Sequence, residues 1–251
     1  MQAVKSFFRS FSKGELLLWG ASVLLIVLSF CVFDRENWLT LLASLVGATS
    51  LIFCAKGNPA GQALMLLFSA LYGVISWTFS YYGEMITYLG MTAPMALAAL
   101  ISWLRHPFKG NRAEVRVNRL RAGEAAFALL LTAAVTAAFY FILKALDTAN
   151  LIPSTVSVAT SFLAVYLTFR RSPYYALAYA ANDVVLVVLW TLAAIEDITY
   201  LSVIICFVMF FANDLYGFIN WRRMEKRQKE SDAEPVSYTH LRAHETSLHL
   251  V

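Results

Sequence analysis

Charge is what this chain has least of: Asp, Glu, Lys and Arg make up only 14% of its 251 residues, against 59% hydrophobic. Soluble domains carry about 25% charged and about 45–50% apolar residues, so a water-covered globule is excluded. Cysteine is almost as scarce. Cys31, Cys54 and Cys206 stand singly in apolar runs, with no pair at metal-ligand or redox spacing, and read as buried free thiols. No Walker-type phosphate loop occurs, which removes ATP hydrolysis by that route, and no H-E-x-x-H occurs, which removes zinc-protease chemistry. The Gly-x-Gly-Asp of intramembrane aspartyl proteases is also missing; both membrane aspartates sit in Asn-Asp pairs. No enzyme activity, cofactor or metal is therefore expected. The net charge of +4 gathers in loops and reports orientation in a membrane rather than nucleic-acid binding. The start, MQAVKSFFRSFSKGE, is basic, and no small-residue cleavage site follows its apolar run, so no cleaved leader is expected.

What is present is a series of apolar runs long enough to cross a hydrocarbon core of about 30 Å. Eight are expected: Glu15–Phe33, Trp38–Ala55, Pro59–Tyr82, Met85–Leu104, Gly123–Leu146, Ser154–Phe169, Pro173–Ile195 and Ile198–Trp221. Charge in the connections tests the count. Lys5, Arg9 and Lys13 precede the first run, Lys56 follows the second, and RHPFKGNRAEVRVNRLRAG follows the fourth. Arg170 and Arg171 follow the sixth, and Arg222, Arg223, Lys226, Arg227 and Lys229 follow the eighth. The intervening turns hold Asp34 and Glu36 beside Arg35, then Glu84, Asp147, and Glu196 with Asp197. Lysine and arginine concentrate on the cytoplasmic side of membrane proteins, so this alternation places both termini there.

One phrase is written twice. WTFSYYGEMITYL spans Trp77–Leu89, and WTLAAIEDITYL, one residue shorter, spans Trp190–Leu201. Pro59 after Lys56 matches Pro173 after Arg170 and Arg171, each placed to open a helix, where its missing N–H costs nothing. Ile101-Ser102-Trp103-Leu104-Arg105 matches Ile219-Asn220-Trp221-Arg222-Arg223. The repeat predicts two parallel three-helix units, residues 38–104 and 154–221, joined by residues 105–153, a basic loop and one linker span. Residues 1–37 add one N-terminal helix. The predicted fold is an all-α polytopic membrane protein of eight transmembrane helices. Two like bundles around one site near the midplane is a transporter arrangement. The match weakens late in each unit: Tyr88 lies closer to Trp103 than Tyr200 does to Trp221, and Pro94, where a kink is expected, occurs only in the first. Residues 222–251 begin with a basic run and end in SYTHLRAHETSLHLV. That ending, with His240, His244 and His249, reads as a vector-derived scar and carries no functional expectation.

Polar residues inside the spans are the candidate site. An aspartate at a helix centre costs roughly 3 kcal/mol on insertion scales, so each is a functional hypothesis. Asn182-Asp183 lies halfway along its span and Asn213-Asp214 in the basic-side half of the last. Tyr179, Asp183 and Trp190 share one helix face, as do Asn213, Tyr216 and Asn220; Ser69, Tyr72, Ser76 and Ser80 form a polar stripe in the first unit. Neighbouring residues point about 100° apart, so one of each Asn-Asp pair can face a pocket while the other braces it. The competing role is polar glue between helices. The set suits a flat, hydroxyl- or amide-bearing ligand, with cationic character matched by rings and Asp.

AANDVVLVVLW, CFVMFFANDLYGFINWRR and, in the first half, GEMITYLGMTAP resemble the PnuC family of nicotinamide riboside transporters, over roughly Trp38 to Arg223. The resemblance implies a three-one-three core related to the SWEET sugar transporters. It also implies uptake of nicotinamide riboside by facilitated diffusion across the bacterial inner membrane, by a homotrimer, with a cytosolic riboside kinase trapping the product. Under it, Trp77, Tyr88, Trp190 and Tyr216 are expected to stack on the ligand. Asn182, Asp183, Asn213 and Ser76 are expected to hydrogen-bond it, with Tyr72, Tyr179 and Asp214 in the same site. Thiamine, riboflavin or another vitamin as substrate, and proton-coupled uptake through Asp183 or Asp214, stay open from the residues alone.

Overall fold

Apolar runs in lipid have no water to satisfy backbone N–H and C=O groups, so they must close their hydrogen bonds internally as helices. The computed structural model describes residues 11–78, 85–148 and 150–233, and among them eight helices are long and apolar enough to span a membrane. They are α1 (Lys13–Phe33), α2 (Trp38–Ala55), α3 (Ala60–Thr78), α4 (Thr87–Arg105), α5 (Ala122–Ala145), α6 (Leu151–Phe169), α7 (Tyr175–Ala194) and α8 (Leu201–Ala233). Ser80, Glu84 and the histidine-bearing tail lie outside the described residues.

Most ends fall within a few residues of those expected from hydropathy. The last does not. α8 runs on past Trp221 to Ala233, because the basic run Arg222–Lys229 alternates with acids at helical spacing: Glu225 pairs with Arg222 and Lys229. The kink expected at Pro94 takes the form of an over-wide stretch instead. α4 opens with a π-wound segment, Thr87–Thr92, and Pro94 sits in the first turn of the α-helical part. The basic loop is also more than a loop. β1 (Pro107–Phe108) and β2 (Asn111–Val115) pair antiparallel across Lys109 and Gly110, whose φ of 47° and 80° form the left-handed two-residue turn that suits a hairpin.

Six helices close a ring. α2 packs on α3, α3 on α4, α4 on α6, α6 on α7, α7 on α8, and α8 returns to α2. α1 lies outside it against α2 and α8, and α5 lies outside against α6. The α2–α3 step is close: a Cβ on Gly61 would fall 2.6 Å from the Cys54 backbone nitrogen, so only glycine fits.

The basic segments gather at one end of the ring. Ser12 and Glu15 form a capping box that starts α1. Glu15 also binds Lys56 Nζ at 3.0 Å and accepts from the Tyr216 hydroxyl at 3.1 Å, tying α1 to the α2–α3 loop and to α8. The hairpin joins the same end: Val115 N–H donates to Gly57 O and Asn118 N–H to Arg171 O. Gln228 of α8 donates to Val115 O.

This basic end is shut by reciprocal bonds. The last carbonyls of a helix have no partner within it. Those of α2 and α6 are met by the end of the neighbouring helix in the ring, α8 for α2 and α4 for α6. Trp221 Nε1 donates to Cys54 O at 2.8 Å and Asn220 Nδ2 to Ala55 O at 2.8 Å. Trp103 Nε1 donates to Thr168 O at 2.9 Å and Ser102 Oγ to Phe169 O at 3.0 Å. The two indoles, both fully buried, lie 5.3 Å apart, and Tyr175 meets both edge-on. The residues matched in the sequence repeat thus occupy equivalent places at this end.

Candidate functional site: a ring interior and its vestibule

Two spaces lie along the ring. At the end opposite the basic loops, a vestibule of about 450 Å³ is bordered by the α1–α2 turn (Asp34, Arg35, Glu36), by Tyr72 and Ser76 of α3, and by Trp190, Asp197 and Tyr200. Trp190 and Tyr200 pack at 5.3 Å between ring centres. The Ser76 hydroxyl is buried with no partner among the described residues. Asp197 caps the turn before α8 by accepting from Thr199, which holds its carboxyl below the usual carboxylate range.

Deeper, a space of only about 50 Å³ lies inside the ring, bordered by residues of all six helices. Tyr88, Tyr179, Asn182, Asp183 and Asp214 contribute its polar surface, and Phe68, Phe207 and Phe210 its rings. Among the described residues its wall contains two carboxyl groups and neither Lys nor Arg. Asp183 of α7 and Asp214 of α8, both buried, border this same small space. Asp183 Oδ2 is buried with no partner among the described residues. Tyr72 and Tyr88 meet at 4.4 Å between the vestibule and this interior.

Asn182 is fixed from one side. Its Oδ1 accepts from Ser157 at 3.1 Å, Thr160 at 2.8 Å and Ser161 at 3.0 Å, three hydroxyls of α6. That fixes the amide's orientation before any ligand arrives, a form of preorganisation. These hydroxyls were not among the residues expected from sequence. Their signal was present: Ser154, Ser157 and Ser161 recur at helical spacing along one face of α6. The interior phenylalanines were hidden among eighteen in the chain.

The expected residues therefore divide. Tyr72, Ser76, Tyr88, Tyr179, Asn182, Asp183, Trp190 and Asp214 border the vestibule or the interior. Asn213 turns away: its Nδ2 donates to Ser22 of α1 at 2.8 Å and to Met209 O. Tyr216 likewise bonds Glu15 of α1. The stripe Asn213–Tyr216–Asn220 does share a face, and that face is covered by α1 and the end of α2. Trp77 is 61% exposed and borders neither space, unlike its repeat mate Trp190 at 6%.

Comparison with known proteins accords with this arrangement. The family model described as Nicotinamide mononucleotide transporter matches residues 37–223. The nicotinamide riboside transporter PnuC of Neisseria mucosa is 29% identical over 201 residues, which cover 78% of this chain and 76% of that protein. The nicotinamide riboside transporter PnuC of Haemophilus influenzae is 20% identical over 216 residues, covering 84% and 91%. A crystal structure of the vitamin B3 transporter PnuC superposes with a TM-score of 0.76 at 25% identity, over 87% of this chain and 94% of that one. The chain belongs to this family, whose members are membrane transporters and not enzymes.

Proposed function

We propose that this member of the PnuC family takes up nicotinamide riboside by facilitated diffusion, passing it through the ring of six helices. The observation that carries the reading is the sign of the pathway. The interior holds two carboxyl groups and no basic residue, and the vestibule adds Asp34, Glu36 and Asp197 against Arg35 alone. Nicotinamide riboside carries a positive pyridinium ring, which carboxylates and aromatic faces both attract. The corresponding mononucleotide adds a phosphate, and in a low-dielectric interior a second anion against Asp183 and Asp214 is strongly disfavoured. The names of the curated relatives support the riboside. The acid lining argues for it over the mononucleotide.

Transport follows as alternating access. Ligand sites usually enclose about 300–1,000 Å³, so an interior of about 50 Å³ does not admit the cargo without movement. The vestibule is wide while the basic end is bonded shut, which supports a state open to one side only. The units α2–α4 and α6–α8, linked through α5, would rock so that the Trp103 and Trp221 bonds part while the vestibule narrows. By the positive-inside rule the basic end faces the cytoplasm of a bacterial inner membrane, with both termini there. The homotrimer and the trapping riboside kinase belong to the same reading. Two buried carboxyl groups on one small space, Asp183 and Asp214, support a second one, in which uptake is driven by a proton gradient.

The test is uptake of labelled nicotinamide riboside into liposomes carrying the purified protein, without ATP or an ion gradient. Flux that stops at equal concentrations, blocked by unlabelled riboside but not by its mononucleotide, thiamine or riboflavin, is the expected result. Binding without flux would overturn it, and flux only under a proton gradient would establish the coupled mechanism instead.

A further inference from the structure

We infer that the basic end carries a binding site for an anionic phospholipid, in a crevice between the start of α5, the end of α6 and the extended part of α8. The crevice encloses about 500 Å³. Its wall is apolar, formed by Leu120, Ala125, Leu129, Leu163 and Leu167, and its rim is Arg119, Tyr174, Arg222 and Glu225. Arg222 lies over the Tyr174 ring at 5.6 Å. The apolar wall follows the first turns of α5 and the last turns of α6, so it descends into the hydrocarbon from the level where the charged loops begin. That is the shape of an acyl chain below a headgroup.

The segments around the crevice carry more cation than they neutralise. Arg116, Arg119, Arg170, Arg171, Arg222 and Lys229, of which Arg119 and Arg222 line the crevice itself, pair with only three carboxylates among the described residues. Arg116 pairs with Asp232, Arg170 with Glu124, and Glu225 alone serves Arg119, Arg222 and Lys229. Arg171 has no carboxylate partner among the described residues. It follows α6 in a left-handed conformation, φ 55°, with its carbonyl held by Asn118 N–H at 3.0 Å. Its Nε and Nη1, and the neighbouring Asn118 Nδ2, are buried without acceptors. Burial and the flanking Arg170 and Arg116 charges lower the Arg171 pKa, the signature of a cation lacking its counter-ion. Basic pockets beside membrane helices on this side suit anionic headgroups. A soluble anion would match the cations but leave the apolar wall without purpose; an anionic phospholipid matches both. The site is separate from the ring interior and independent of the cargo.

The experiment is titration of delipidated full-length protein with phosphatidylglycerol or phosphatidylcholine in detergent. Bound lipid is read by native mass spectrometry and folding by thermal melting. Phosphatidylglycerol should bind in preference and raise the melting temperature. Arg222→Gln, at the crevice rim, should weaken it by about fivefold, the scale of one basic residue at a membrane surface. Ala125→Trp, which fills the crevice, should weaken both lipids. Arg119→Gln serves if Arg222→Gln does not fold. Lys226→Gln, on the exposed face of α8, should change nothing. Equal binding of the two lipids, equal loss in Lys226→Gln, or full competition by inorganic phosphate with no effect of Ala125→Trp would overturn the site.

Discussion

The two ends of the ring are held by different forces. At the basic end, four side-chain donors reach across to the terminal carbonyls of α2 and α6, with two fully buried indoles packed between them. At the other end, aromatic contact such as Trp190 on Tyr200 borders an open space. Directional bonds break as a set once geometry shifts, whereas ring contacts slide. Under the proposed alternating access, the closed end is the one that switches between discrete states, while the open end adjusts continuously.

The largest effect should come from removing the closure. Trp221→Ala should destabilise the protein by about 3–5 kcal/mol in a thermal melt, as for other buried aromatics, and Trp103→Ala by a similar amount. The Phe variants separate packing from bonding: each should cost about 1–3 kcal/mol for the helix-end carbonyl left unmet. If Tyr200→Ala at the open end cost as much as Trp221→Ala, the contrast between the ends would fail. Next in size, Asp183→Asn or Asp214→Asn should lower riboside uptake at least about tenfold, the loss of one charged hydrogen-bond partner. Because the two carboxyls border one small space, the double variant should lose less than the product of the singles in the same uptake assay.

A smaller effect is expected at the Asn182 knot. Thr160→Ala leaves two hydroxyls on the amide and should change riboside affinity by less than about threefold, whereas replacing Ser157, Thr160 and Ser161 together should weaken it about tenfold. The smallest concerns the repeat itself. Trp77→Phe should leave uptake within about twofold of the parent, because an exposed side chain away from the pathway contributes little. Trp190→Phe, tested beside it, should be the more damaging.

That last pair shows where the sequence stops being informative. Hydropathy was enough for the eight spans, because bilayer thickness fixes their length. The Asn-Asp pairs were legible because a buried carboxyl in lipid demands a reason. The Trp-Thr and Tyr phrases, however, matched in letters and not in depth. Trp103 and Trp221 occupy equivalent places at the basic end, yet Tyr88 is six residues nearer its Trp than Tyr200 is. At 1.5 Å per residue that sets Tyr88 about 9 Å deeper, beside Tyr72 rather than at a vestibule rim. The π-wound start of α4 shifts its faces as well. Asn213 and Tyr216 were assigned inward because their spacing names a face without naming what covers it; α1 covers it, and nothing in spacing alone places an extra helix.

The central claim is that an acid-lined ring distinguishes the riboside from its phosphorylated form. Calorimetric titration of the purified protein with nicotinamide riboside and with its mononucleotide, before and after replacing Asp183 and Asp214 together by Asn, tests it most directly. The account predicts strong preference for the riboside in the parent and a preference largely erased in the double variant. Equal affinity for both ligands in the parent, or a preference untouched by the double replacement, would contradict it.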